Sequence, residues 1–446
     1  MTARPALRVI EGRSGRPQMD AALEFLGLGI GLTLVLTWLG RLPSWFHDLG
    51  RFQILFALAF AFYGLALWRL DRYARLPRVG WVVFGVALAA RMALVATPPS
   101  LSLDLYRYVW EGKVLLHGMN PYHLGPADPA LSSLRDGVIW PQVNHPELAA
   151  IYPPLALLSY AALAAVSSTV IAFKLWGVLC DLAVVAVLLR WAQRRGASPA
   201  RVIAYAWNPL VLIEYSGSGH NDPLAMLGLA VALMLADSRP GRSALAFAGG
   251  ALVKLGPLVA LPFLWRRWPW GARAVALVAL AVGLASYWAL TRGPESGLTA
   301  YLGSWRNNEF GFHMLERGLG SFAAARAAAL AAVLMALAWA WLRRWPLERA
   351  TRLGIRLALL VGPVVHPWYL GWELMFQPLA ISAPWIVFSL TVVLNYGMLR
   401  TPLEGRSFHL PYAARGLEYG IPLAVFGLSL VLRRVRAWRA ARALRH

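Results

Sequence analysis

Charge is what this 446-residue chain has least of: 14% of its residues are Asp, Glu, Lys or Arg, while 59% are hydrophobic. Soluble domains carry roughly 25% charged residues, so an ordinary soluble enzyme is excluded. Acidic residues are the scarcer sign, 21 against 43 basic ones, for a formal net charge of +22. Lysine is nearly missing, at Lys113, Lys174 and Lys254 only, so the excess is arginine. Arginine in that proportion sets orientation in a membrane and gives no reason to invoke nucleic acid. The lone cysteine, Cys180, excludes an intramolecular disulfide. There is no HExxH or Cys/His metal framework, no Gly-Lys-Ser/Thr phosphate loop and no Gly-x-Ser-x-Gly elbow, which removes weight from covalent and nucleotide-hydrolysing mechanisms. Tandem repeats and low-complexity linkers are missing too, so residues 1–446 read as a single domain.

Apolar sequence is what the chain has in quantity, with 21 Trp, 39 Gly and a mean hydropathy of +0.54. In lipid every backbone group must be satisfied within the segment, which predicts an all-α, polytopic integral membrane protein. Apolar segments run over 23–40, 52–68, 80–96, 152–168, 170–190, 202–216, 222–236, 244–265, 272–291, 321–342, 353–366, 368–382, 384–399 and 417–433. Several fall short of the ~20 residues of a straight span, so about 12–14 transmembrane or half-membrane helices are predicted. Gly27, Gly29 and Gly31 sit inside the first segment and read as close helix packing rather than as a nucleotide loop.

Arginine assigns the sides. Residues 1–22 carry Arg4, Arg8, Arg13 and Arg16 with no convincing cleavage site after them, which reads as a cytoplasmic tail before an uncleaved anchor. Arg69, Arg72, Arg75 and Arg78 put the connection after the second segment on the same side. Residues 97–151 then fall outside, and there Asp104, Glu111, Asp128, Asp136 and Glu147 outnumber Arg107, Lys113 and Arg135, a reversal of the chain's bias. Simple alternation fails next, because it would put Arg190, Arg194, Arg195 and Arg201 outside. Parity returns if 170–190, interrupted by Lys174 and Asp181, and 244–265, interrupted by Lys254, Gly256, Pro257 and Pro262, are each two half-helices beside a cavity. Loop 292–320 and the turn at His366 are then external, and the basic tail 434–446 is internal.

From Asp104, the alternation of Leu105, Tyr106, Val109, Leu115 and Leu116 with Arg107, Glu111 and Lys113 predicts an amphipathic helix along the membrane surface. Asp104 begins it, either as an N-cap or as a carboxylate that accepts a proton or ligates a metal. His220, Asn221 and Asp222 precede another span, where Asp222 and Pro223 also make a good helix start. Lys254 lies in GGALVKLGPL, where an ammonium needs a partner, a cavity or an interface to snorkel to; Arg91, near an external helix end, reads as snorkelling. Arg306, Asn307, Asn308, His313 and His366 offer donors suited to a phosphate or a sugar.

Five blocks in consistent order carry a resemblance: SLDLYRYVWEGKVLLHGMNPY (102–122), YPPL (152–155), NPLVLIEYSGSGHNDPLAM (208–226), ALVKLGP (251–257) and HPWYLGW (366–372). In them the chain resembles the GT-C superfamily of membrane glycosyltransferases, close to the bacterial polyprenyl-phosphate-mannose-dependent mannosyltransferases. The resemblance implies a lipid-linked sugar donor, a glycan or lipid acceptor, and inverting transfer on the external face of the bacterial inner membrane. It makes Asp104 the base and Asp222 the second acid of the site, with Mg or Mn between them if a divalent cation takes part. Relatives often pair two acids in the first loop, whereas Leu105 and Tyr106 follow Asp104, and three spans rather than one precede it. Deprotonating a hydroxyl needs a base and the departing phosphate needs positive charge. Arg107, Lys113, Lys254, Arg306 and His366 are the candidates for the phosphate. Asn120, Tyr122, Tyr152, His220, Asn221, Trp305, Asn307, Trp368 and Tyr369 are the candidates for sugar or acceptor. Two other readings stand: a transporter or lipid flippase, which predicts symmetry-related halves, and a polysaccharide polymerase or ligase, which predicts an arginine-rich late external loop.

Overall fold

A computed structural model describes residues 15–291, 297–400 and 412–443. Arg4, Arg8 and Arg13 of the expected tail, and the start of the loop 292–320, lie outside the described residues. Every described element is helical: α1 (Gly15–Gly40), α2 (Leu49–Trp68), the single turn α3 (Leu70–Tyr73) and α4 (Val79–Val95) lead to α5 (Asp104–Leu116). Helix α1 starts at Gly15, so the described end of the expected tail and the anchor are one element. Two of its glycines do pack closely: a Cβ at Gly29 would lie 2.6 Å from Val86, and one at Gly31 would lie 2.4 Å from Phe62. Gly27 has nothing near it.

Next come α6 (Pro154–Val166) and α7 (Val170–Arg194), then a broken stretch of α8 (Ile203–Ala206), α9 (Pro209–Leu212) and a π-helical turn Ile213–Gly217. Helices α10 (Asp222–Leu235) and α11 (Pro240–Val253) pack face to face, and a 3₁₀ turn Gly256–Ala260 joins α11 to α12 (Leu261–Arg267). The remainder is α13 (Trp270–Leu290), α14 (Gly297–Ser304), α15 (Gly311–Leu319), α16 (Phe322–Leu342), α17 (Leu347–Val361), α18 (Leu370–Leu374), α19 (Ala383–Thr391) and α20 (Tyr412–Ala443). Helix α20 absorbs most of the tail expected at 434–446. Six helices among the described residues are long and apolar enough to cross a membrane, those beginning near Gln18, Leu49, Val170, Trp270, Phe322 and Ala413. Trp38, Ile54, Trp68, Trp81 and Val282 point outward, the exposure that lipid contact requires.

Helix α7 corrects the expected break at 170–190. It is continuous because its charges have partners instead of a cavity. Lys174, fully buried, donates to the carbonyls of Leu94 (3.1 Å) and Thr97 (2.6 Å) at the end of α4. Asp181 meets Arg91 at 2.7 Å and accepts from Tyr205 at 2.6 Å. Arg91 therefore does not snorkel; its guanidinium is wholly buried and also bonds the carbonyls of Ala87 and Ala206. The short element of this region is α6 instead. Thirteen residues span only ~20 Å, too little for a ~30 Å hydrocarbon core. This helix lies against α5 with Tyr152 to Pro154 at one end and Val170 and Ile171 past the other, all bordering the same cavity. The break expected at 244–265 is present, where Lys254 leaves helical conformation (φ −156°, ψ 142°).

The connections rich in arginine gather at one end. Arg69 and Arg72 hold Glu24 at 2.9 and 3.0 Å, Ser198 donates to the Ala74 carbonyl, and Arg195 pairs with Glu348. Arg201 reaches the Pro378 carbonyl, Arg266 the Trp341 carbonyl, and Arg267 pairs with Asp237. The cavity lies at the opposite end, among residues 95–107, 142–154 and 366–369.

Candidate active site

Helix α5 delivers Asp104 to the cavity. A Cβ at Gly112 would lie 2.4 Å from the Tyr160 carbonyl, so only glycine lets α5 lie this close on α6. Its outer face does not lie free along a membrane surface: Leu105, Tyr108, Val109, Trp110 and Val114 are all buried in protein. Leu103 holds the cap position without a side-chain bond, so Asp104 is not the helix cap. Its Oδ1 accepts from Asn144 Nδ2 at 2.8 Å. The carboxylate lines a cavity of about 1790 Å³, well beyond the roughly 300–1,000 Å³ of ordinary ligand pockets. Burial, with Asp104's charge adding to it, raises the phenols of Tyr152 and Tyr301, the latter to about 12. Both are neutral hydroxyls beside the acid.

Lys254 supplies the positive charge. Where α11 unwinds, its ammonium enters the cavity wall, 2.7 Å from Asp222 Oδ2 and 5.1 Å from the centre of the Tyr369 ring. Asp222 is fully buried, and Trp372 Nε1 donates to its other oxygen at 2.7 Å. This carboxylate is closed off from the cavity and positions Lys254. It does not line the cavity, where the sequence suggested a second acid facing a substrate. Beside them, the rings of His366 and Trp368 stack at 4.2 Å, and Trp368 stacks on the buried His220 at 3.7 Å. His366 sits in the loop ahead of the Pro367–Tyr369 turn. Its depth, with His220 and Lys254 nearby, pushes its imidazole well below the usual value, so it meets a ligand as a neutral hydrogen-bonding group. Glu214, buried beneath, accepts from Tyr396 and stands 3.3 Å from His220 Nδ1.

Of the other residues expected at the site, Tyr152, Trp305, Asn307, Trp368 and Tyr369 line the cavity. Tyr369 and Tyr301 share a hydroxyl contact of 3.1 Å. Arg306 is on the wall as well, but its charge is spent on Glu316 and, at 3.9 Å, Glu309. Arg107 borders the cavity with its guanidinium turned to Glu111 and to three backbone carbonyls, so it has none left for a phosphate. Lys113 lies away from the cavity, 2.7 Å from both Asp136 and the Leu134 carbonyl. Burial raises the Asp136 carboxyl, but Lys113 and the amides of Ile139 and Val138 outweigh it and bring it down to about 2. Asn120 is used on the Leu290 carbonyl, Tyr122 on the Tyr152 carbonyl and Asn221 on the Tyr160 hydroxyl. These three, like His220, are not among the residues that line this cavity.

No group of three or more His, Cys, Asp or Glu suited to a metal occurs among the described residues. Sequence reasoning passed over Asn144, Tyr301, Trp372, Tyr396 and Glu214. Glu214 and Trp372 stood within the quoted blocks, and an acid in an apolar segment is itself a signal. Asn144 carried none, being one polar residue in a polar loop.

Known proteins supply an independent comparison. A family model described as "Alpha-(1->6)-mannopyranosyltransferase, N-terminal domain" matches residues 21–270, which include Asp104, Asn144, Asp222 and Lys254. The chain is similar to alpha-(1->6)-mannopyranosyltransferase A of Mycobacterium tuberculosis, 29% identical over 65% of this chain and 63% of that protein. It is 29% identical to the protein of the same name from Corynebacterium glutamicum, over 55% of this chain and 49% of that one. Alpha-(1->6)-mannopyranosyltransferase B of Corynebacterium glutamicum is 24% identical over 67% and 58%. The chain thus spans about half to under two thirds of these relatives' lengths. No solved structure matches.

Proposed function

The chain belongs to the alpha-(1->6)-mannopyranosyltransferase family, and on that premise we propose that it transfers a mannosyl unit from a polyprenyl-phosphate donor to a hydroxyl of a glycan or lipid acceptor. The single observation that carries this reading is one large cavity holding a carboxylate, Asp104, and an ammonium, Lys254, on its wall. The acceptor oxygen attacks the anomeric carbon while Asp104 takes its proton. The bond from that carbon to the phosphate oxygen breaks, with inversion, and the charge left on the polyprenyl phosphate is met by Lys254 and a neutral His366. Trp305, Tyr301 and Tyr369 supply the aromatic faces and hydroxyls that sugars use. Leu255, Leu258, Leu280, Leu284, Ile355 and Leu359 form an apolar wall of the same cavity, suited to a polyprenyl chain.

The arginine-rich end marks the cytoplasmic side by the positive-inside rule, which turns the cavity outward. Transfer from radiolabelled polyprenyl-phosphate mannose to a mannoside acceptor, by the protein in liposomes, tests the reading. Asp104→Asn is expected to lose about 10²- to 10⁴-fold in rate, the usual worth of a general base. Undiminished transfer by that variant removes the base, and no transfer by folded wild type removes the reaction.

A further inference from the structure

Asp104 is held by a residue forty positions away. Asn144 Nδ2 donates to its Oδ1 at 2.8 Å, and no other side chain bonds that carboxylate among the described residues. Asn144 is in turn fixed by Arg107, one turn along α5 from Asp104. The two Nη atoms of Arg107 donate to the carbonyls of Asn144 (3.1 Å), His145 (2.7 Å) and Leu148, and its Nε donates to Glu111 Oε1 at 2.9 Å. Arg107 and Glu111 are both buried, at 7% and 2% exposure. Between Asn144 and Pro146, His145 adopts φ 47°, a left-handed conformation costing a non-glycine residue roughly 1 kcal/mol or more. The surroundings therefore hold the loop in a shape the free chain disfavours.

We propose that Asn144 is a positioning residue for the base: by occupying Oδ1 it leaves Oδ2 as the oxygen that takes the acceptor's proton, and Arg107 braced on Glu111 holds the loop that presents it. This rests on the reading of Asp104 as the base. A carboxylate free to rotate presents either oxygen at changing angles, and small misplacements of a reacting group are costly in rate. The titratable groups around Asp104 are Tyr108 and Glu111 on its own helix, Tyr152 and Tyr160 at α6, Tyr301 on α14 and Tyr396 after α19. The phenols are neutral in any ordinary assay, while burial raises the Glu111 carboxyl against the opposing pull of Arg107.

The test is kcat for mannosyl transfer and the acceptor KM, measured separately. Asn144→Ala is expected to lower kcat about ten- to a hundredfold and to leave KM nearly unchanged. Asn144→Asp keeps the side chain's shape while removing the donor, so it loses at least as much in kcat. Arg107→Gln, which releases the loop, lowers kcat in the same way. A rise in KM with kcat unchanged, or a folded Asn144→Asp with wild-type kcat, overturns the proposal. Activity surviving in Asp104→Asn would instead overturn the base assignment, so the two failures are distinguishable.

Discussion

An isolated charge in an apolar chain has to be neutralised by something, and here the partners decide what each charge can do. Arg91 and Asp181 close on each other with both side chains fully buried, so they tie α4 to α7 and leave no group for a ligand. Lys254 and Asp222 differ, because the lysine side chain keeps 18% exposure on the cavity side. Its three N–H groups allow it to hold Asp222 and still donate to a phosphate. Removing one partner of a buried pair costs about 3–5 kcal/mol, and the partial opening of Lys254 puts Asp222→Asn at or below the low end of that range. We expect Asp222→Asn to lower both the melting temperature and the transfer rate, and the double variant Asp222→Asn with Lys254→Met to recover the melting temperature alone. Recovery of both would remove Lys254 from the reaction. Sequence marked these residues as costly and in need of partners. It gave no indication of which acid each cation would find, since partners 32 or 90 positions apart leave no local pattern.

Among the elements, α10 and α11 pack against each other extensively. A Cβ at Gly228 would come within 2.7 Å of the Ala246 carbonyl and 2.8 Å of Gly250 Cα, backbone that cannot yield without parting the helices. That pair carries Asp222 at one helix start and Lys254 at the other helix end, so its spacing sets the spacing of the ion pair. Gly228→Ala is expected to destabilise by about 1–3 kcal/mol, the cost of overpacking, and to reduce transfer. Gly27→Ala, with open space around it, gains up to ~1 kcal/mol of helix propensity. Thermal unfolding in detergent reads both, and equal effects would refute the packing account. The breaks show how far element boundaries were legible. Lys254, Gly256 and Pro257 announced the break after α11, because a charge, a flexible residue and a missing N–H coincide there. Lys174 and Asp181 looked like a similar interruption, yet α7 continues: no proline accompanies them, and both charges meet protein partners.

At the scale of the whole molecule the two ends differ in chemistry, arginine on one and the cavity on the other. That polarity predicts labelling. The single cysteine, Cys180, is buried and gives a quiet background. Val138, 72% exposed in the loop bordering the cavity, and Asp237, at the arginine-rich end, are exposed positions for Val138→Cys and Asp237→Cys. A membrane-impermeant maleimide applied to intact cells is expected to label the first, and to reach the second only after lysis. The reverse pattern would place the cavity on the cytoplasmic side.

Composition alone determined that the chain is helical and lives in a membrane, because hydrophobic content and backbone satisfaction in lipid are additive along the sequence. Arginine spacing and a local charge reversal pointed to the loop at 97–151 and to Asp104 within it. The tertiary structure alone decided which charges face the cavity, that Asp222, Arg107 and Lys113 are spent on protein partners, and that Asn144 touches the acid. Those outcomes depend on distances between residues far apart in the chain, and in a helical bundle such distances are set by packing and by the competition among partners, which no local spacing encodes.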